Sequence, residues 1–487
     1  MLLVLVVTVA LCAETALAQT QEPARPASST PSQTVADPQT ASTPREESAC
    51  PGCPPRRLGM AFLQVTFVNV LYEAANLARG QVTARITPQT WWTNMKRGWE
   101  WDLDDFTVNQ IGHPYQGNNY FTTGRANGLD FWESAAMTAF GSGTWEYFGE
   151  TNQASLNDFI NTTLGGIALG EMFHRAGWLV RDTQATGRSR LWKEIAAAAI
   201  DPMTGYNRFR SGAASRVEET PPSLIPTRLG SVTSIGGAWR GSNTSEKPST
   251  AHPLAEVDLL YGNLESGHSD VPYEAFAVRL AFGGGSAISE ARVRGRLFGE
   301  PFRGNSVQLT VMQGYQYNKN AAYQFGAQSF DMNVGVRRQL TSRTSLWATG
   351  WGGMTILGAV DSVPAEGSAV PEEPPEEEAG QGVSTGPRYY DYGPGGKFGG
   401  FLTLQHGRRN VFILSYEAHH LHVLDGVRAN HLLQRARADL NVPVRGRLGV
   451  SVTGEFFDRR TYYQTPGVQN AHFHFPQFRL SLTWSSS

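Results

Sequence analysis

From about Thr227 to the end of the chain, apolar side chains recur at every second position. Ala291, Val293, Gly295 and Leu297 alternate with Glu290, Arg292, Arg294 and Arg296. Ala436, Ala438 and Leu440 alternate with Arg435, Arg437 and Asp439, and Leu448, Val450, Val452 and Phe456 with Arg447, Ser451, Thr453 and Glu455. A period of two sends successive side chains to opposite faces of a strand. One face is dry and the other carries charge near mid-strand. Segments of about 9–15 residues, about 12 in all, suit the tilted strands of a membrane barrel around a watery lumen. Aromatics gather at segment ends, as at Tyr315 and Tyr317, at Tyr389, Tyr390 and Tyr392, and at Tyr462 and Tyr463, where an interfacial girdle belongs. In the last segment Phe478, Leu480, Leu482 and Trp484 alternate with Arg479, Ser481 and Thr483, the pattern of a closing strand. A soluble secreted sheet domain is the competing reading of the alternation.

Residues 58–205 read instead as helical. Leu58 to Ala78 is apolar and periodic, Leu129 to Phe148 mixes aromatic with small residues, and Ser189 to Ile200 stops at Asp201-Pro202. Ser155 with Asp158 three positions on has the spacing of a helix N-terminus. The helix it opens runs past Ile167, Met172 and Phe173 toward Gly177. Gly141, Gly143, Gly165, Gly166 and Gly170 allow helix backbones to approach closely, as in membrane bundles. The carboxylates are too many for any of these helices to stand alone in lipid. The expected architecture is therefore α+β: a compact helical unit, 58–205, packed against or inside an antiparallel transmembrane barrel, 227–487.

The flanking segments add a compartment. Residues 1–18 hold an apolar run and an A-x-A site, the form of a secretory signal peptide. Residues 19–57 are rich in Pro, Ser and Thr and read as a disordered linker. Cys50 and Cys53 close that linker, and in an oxidising compartment they form a small disulfide more readily than a redox centre. A Pro/Glu tract within 361–388 reads as a solvated loop of the barrel. The 487-residue chain carries 52 Gly and a formal charge of -2. That balance gives no field to attract nucleic acid. The expected partners are outer-membrane lipid, the barrel-assembly machinery and a small-molecule or lipid ligand; no cofactor is expected. The localisation that follows is the bacterial outer membrane, with the N-terminal region in the periplasm or in the barrel lumen.

Chemistry, if present, sits in the helical unit. His113, Arg125, Glu133, Glu146, Asp158 and Glu171 lie among apolar and small neighbours, and buried charges must pair or neutralise. The plain reading is a structural network. The sharper one is general acid–base chemistry by His113 with Glu146 or Glu171 on lipid or cell-wall material. Glu171 and His174 form one E-x-x-H pair, half of a carboxylate-bridged metal motif. His420 and His422 share a strand face and could ligate a metal, with interfacial polar residues as the duller account. No nucleophile elbow, P-loop or zinc-protease helix is present.

Several short pieces recur in a specific order: Trp99-Glu100-Trp101-Asp102, His113-Pro114-Tyr115-Gln116-Gly117, Arg125 with Gly128, Trp145-Glu146, Asn157-Asp158, Gly165-Gly166 with Gly170-Glu171, and Asp201-Pro202 through Asn207-Arg208. From about Trp99 to Arg208 this run resembles the bacterial envelope family described as domain of unknown function 3943. The resemblance implies an exported, membrane-associated helical domain joined to a barrel-like region. It implies no reaction. A non-enzymatic role in envelope integrity, or in passage or binding of a solute or lipid, is the function expected.

Overall fold

The computed structural model describes residues 52–486, apart from 242–248, 266–267, 270, 285, 303–305, 320–323, 362–389, 408 and 465. The expected signal peptide, the linker up to 51, Cys50 and the acidic loop beyond Asp361 lie outside the described residues. Cys53 is disulfide-bonded.

Two short strands, β1 (Trp99–Glu100) and β2 (Ala154–Ser155), pair in parallel within the helical region. The remaining strands close a barrel. They are β3 (Leu229–Arg240), β4 (Thr250–Tyr261), β5 (Phe276–Gly283), β6 (Ser286–Phe302), β7 (Val307–Lys319) and β8 (Gln324–Gln339), then β9 (Thr344–Asp361), β10 (Tyr390–His406), β11 (Arg409–His422), β12 (Ala429–Arg445), β13 (Leu448–Tyr463) and β14 (Ala471–Ser485). Every neighbouring pair is antiparallel, and β14 closes on β3 with Leu482 opposite Ile235. The fold class is the expected one, a helical region followed by a closed barrel of 12 strands.

Residue parity separates an inner from an outer face. Arg435 on β12 reaches Glu290 on β6, and Arg292 on β6 reaches Glu417 on β11. Strands so far apart in the order meet only through the lumen, so the charged set faces inward. The alternate set faces out and is apolar: Ile235, Met332, Val334, Leu414, Leu440, Phe478, Leu480 and Leu482 are all exposed. Counted along β13 from the rim of short turns, this belt runs from Leu448 to Phe456 and then gives way to Asp458 and Arg460. Asp458 bonds His472 of β14 at 2.7 Å. An apolar outside around an ionic inside overturns the soluble sheet reading.

The helical region comprises α1 (Leu58–Ala78), α2 (Pro88–Arg97), α3 (His113–Ala126), α4 (Phe131–Phe148), α5 (Leu156–Ile160), α6 (Gly166–Val180), α7 (Gly187–Ile200) and α8 (Pro202–Ser211). Caps fix several starts. Asp130 and Glu133 form a capping box at α4, and the Ser155 hydroxyl accepts from the Asp158 amide at α5. The Asp201 side chain accepts from the Thr204 amide at α8. Single π-turns precede both α3 and α6, the usual accommodation of a local irregularity in a long helix.

The helices stand against the outside of the barrel. Phe106, Ile167, Leu169, Met172 and Phe173 form one apolar core with Leu259 of β4, Val278 of β5, Val293 of β6, Tyr315 and Tyr317 of β7, and Tyr390 and Tyr392 of β10. Those strand positions belong to the outward-facing set. Gln313 donates to the Leu164 carbonyl at 2.9 Å, and the Tyr315 hydroxyl donates to the Gln110 carbonyl at 2.7 Å. Among the described residues no helix enters the lumen. Of the two placements expected, against the barrel or inside it, the contacts show the first. The reason is volume: the strands fill the lumen with their own arginines and carboxylates.

Candidate functional site

The lumen is built in three layers. On the short-turn side lies a cavity of about 440 Å³ whose lining holds seven arginines against three carboxylates, Glu256, Asp258 and Asp439. Above it a layer of ion pairs crosses the barrel. Arg437 takes Glu256 at 2.8 Å and Asp439 at 2.9 Å, while Arg479 takes the other oxygen of Glu256 at 2.7 Å. Arg435 takes both oxygens of Glu290, at 2.8 and 3.0 Å, and also pairs with Glu455. Arg292 grips Glu417 through two nitrogens at 2.7 and 2.9 Å. Asp331 joins Arg294 at 2.7 Å and Lys397 at 2.6 Å. Bidentate pairing of this kind is strong and directional. Toward the other rim comes an apolar layer of Phe325, Val360, Leu421, Leu433, Phe457 and Phe475. The strand sequences carry this order: on β13 the inward set runs from Ser451 and Thr453 through Glu455 to Phe457, and on β14 from Thr483 and Ser481 through Arg479 to Phe475.

A second polar group lies in the helical region, beside Tyr390 and Tyr392 at the rim opposite the short turns. Asp102 accepts from Asn109 at 2.9 Å and from Asn157 at 2.8 Å, and Asn109 also donates to the Tyr390 hydroxyl at 2.7 Å. Asp102, Asp104 and His113 hold ligand-type atoms within 4.8 Å of one another. Burial first, and then the charges of Asp102 and Glu150, push Asp104 up to about 8. Burial likewise raises Glu150 to about 7, against the opposing bond from the Trp145 indole. Burial and the charge of Asp102 hold Asp158 well above the usual carboxylate range. These carboxyl groups share little positive charge, so protons replace counter-ions.

The six residues expected to form one network divide into separate groups. His113 stands 3.5 Å from Asp158. Glu146 accepts the Ser155 amide at 2.8 Å. Glu171 pairs with Arg125 at 3.0 Å and with Arg175 at 2.8 Å. Glu133 is at the surface with Arg56. His113, Glu146 and Glu171 are joined by no hydrogen bond or ion pair among the described residues, so the catalytic grouping is not assembled. Glu171 and His174 share α6 but face different partners, His174 bonding Asp201 at 3.0 Å. His420 and His422 are exposed on the outer face of β11, and His422 contacts Asn430 at 2.9 Å. His419, one position before them, points inward against Phe325.

Residues 98–203 match the family model described as Domain of unknown function (DUF3943). The matched stretch holds the Asp102 group, the Glu171 pairs and the helix crossings, and none of the barrel. No curated protein matches the chain. Among solved structures, the NanC porin is 9% identical with a TM-score of 0.25, covering 52% of this chain and 98% of its own. An outer membrane channel from Pseudomonas putida F1 is 11% identical with a TM-score of 0.24, covering 55% of this chain and 100% of its own. The anion-selective porin from Comamonas acidovorans is 7% identical with a TM-score of 0.21, covering 53% of this chain and 98% of its own. At these scores the likeness carries no argument, and the barrel stands on its own strand pairing.

Proposed function

We propose that this is an outer-membrane barrel that takes a small anion into its lumen and passes it when the ionic layer opens. The apolar belt supports the membrane setting, and the short turns mark the periplasmic rim. The observation that carries the anion reading is the excess of arginine around the short-turn cavity. A concave, low-dielectric site with that imbalance concentrates anions. The cross-lumen pairs then act as a gate, because Arg435 and Glu290 span the space a solute would need. This reading calls on no catalytic step.

The test is planar-bilayer conductance of the purified full chain in potassium chloride. Wild type is expected to conduct little. Glu290→Gln is expected to raise conductance several-fold, with anions favoured over cations. A Glu290→Gln protein that still shows heat-modifiable migration but neither conducts nor prefers anions would overturn the reading.

A further inference from the structure

We infer that the helical domain lies in the same bilayer as the barrel, with the outer face of α1 against lipid acyl chains. The inference rests on reading the barrel as membrane-spanning and goes beyond it.

The first ground is height. On β13 the exposed belt occupies the stretch from Leu448 to Phe456, counted up from the short-turn rim. On β4 to β7 the outward positions in the same stretch, Leu259, Val278, Val293 and Tyr315, are covered by α6 and its neighbours. At the rim itself Trp132 of α4 stacks on the outward-facing Phe298 at 5.7 Å. At the far end Tyr390 and Tyr392 meet Trp101 and Phe106. The bundle therefore stands beside the wall through the belt. Were it in water, the belt would be interrupted over several strands.

Polarity is the second ground. The interior of the bundle carries polar groups: Asn118, Thr122 and Thr123 on α3, Asn127 just beyond it, and Ser134 and Thr138 on α4 are buried. The outside of α1 is apolar: Leu63, Phe67, Val70 and Leu71 are 63%, 51%, 55% and 52% exposed. A water-soluble bundle has the reverse arrangement. Interior amides and hydroxyls bonding between helices, small residues at the crossings and large apolar side chains outside are the features of helices packed in lipid.

Length is the third. The 21 residues of α1 span about 31 Å at 1.5 Å per residue, against a hydrocarbon core of about 30 Å. Its one charged residue, Glu73, is turned inward and buried. The exposed face of α1 continues the barrel's belt, and the occupant that covers a belt is lipid. A second copy of the chain is the rival occupant.

Nitroxide labels on the full chain in phosphatidylcholine vesicles decide the matter. The sites are Leu63→Cys, Val70→Cys and Leu71→Cys, with Leu482→Cys on the barrel belt as reference. Oxygen is expected to relax the α1 labels several-fold more than a water-soluble nickel complex, matching Leu482→Cys. Nickel access at α1 with oxygen-dominated relaxation at Leu482→Cys overturns the inference while leaving the barrel in the membrane. Exclusion of both reagents at α1 also overturns it, in favour of a protein neighbour. Nickel access at Leu482→Cys itself would instead overturn the membrane-spanning reading.

Discussion

Arg435 and Glu290 meet across the lumen of the barrel, nitrogen to oxygen twice over, at 2.8 and 3.0 Å. They come from β12 and β6, so the contact is a strut rather than a neighbour pair within the sheet. Both side chains are buried, and breaking such a pair leaves one charge uncompensated, at a cost of about 3–5 kcal/mol. Arg435→Met is therefore expected to lower the temperature of the heat-dependent gel shift and to increase bilayer current. The exchange Arg435→Glu with Glu290→Arg restores the strut and is expected to recover part of both. Unchanged current and gel shift in Arg435→Met would show that the strut bears neither load.

Gly117 and Gly166 let α3 and α6 approach closely. A methyl group on Gly117 would stand 1.8 Å from the Thr162 carbonyl oxygen, and one on Gly166 would stand 2.5 Å from the Gly117 Cα. Backbone cannot yield as a side-chain tip can. Gly117→Ala and Gly166→Ala are each expected to destabilise the bundle by about 1–3 kcal/mol or more. Gly59→Ala on α1, where nothing lies within 4 Å, is the matched control and is expected to be neutral. Protease resistance of the helical region, compared at equal barrel recovery, reads the difference.

Glu171 is fully buried on α6 and bridges Arg125 of α3 to Arg175. Arg175 in turn donates to the Ser223 and Pro272 carbonyls beside the first strands. The carboxylate thus ties the bundle to the barrel wall. Glu171→Gln leaves two buried guanidiniums facing a neutral amide, which costs about 3–5 kcal/mol. The expected result is release of the helical region to protease while the barrel keeps its heat-modifiable migration. Retained protection would mean that apolar packing alone holds the two together.

The barrel was legible because each strand writes its two faces in alternate letters, as at Glu290 through Arg296, and the fold keeps that parity except at bulges such as the one between Arg296 and Phe298. α1 and the Ser155 start of α5 were legible for similar reasons, a continuous apolar face and a cap. α3 was not. Its residues from His113 to Ala126 are buried on nearly every side, so no polar stripe contrasts with an apolar one and the helical period vanishes. The same inversion hid where the bundle sits, since a polar interior reads as surface to a sequence argument. The lumen pairs were visible only as a charged face. Which arginine meets which carboxylate depends on strand order and register, as Arg437 with Glu256 shows, and neither is written locally.

The carboxyl group near Tyr390 gives a pH dependence with a definite sign. Asp104 stands at about 8 and Glu150 at about 7, both in loops outside the helices. Each is raised above its unfolded value of about 4, so the folded state binds the extra protons. Stability from these groups is fully present below about pH 4 and is lost as pH rises through about 7 and then about 8. Hydrogen exchange of the α5 amides in the full chain is expected to be slower, after correction for intrinsic rates, at pH 6 than at pH 9. Asp104→Asn removes one titrating group and is expected to flatten that slope and to protect α5 at pH 9. Equal protection in wild type at both pH values would show that the cluster is neutralised by something other than protons.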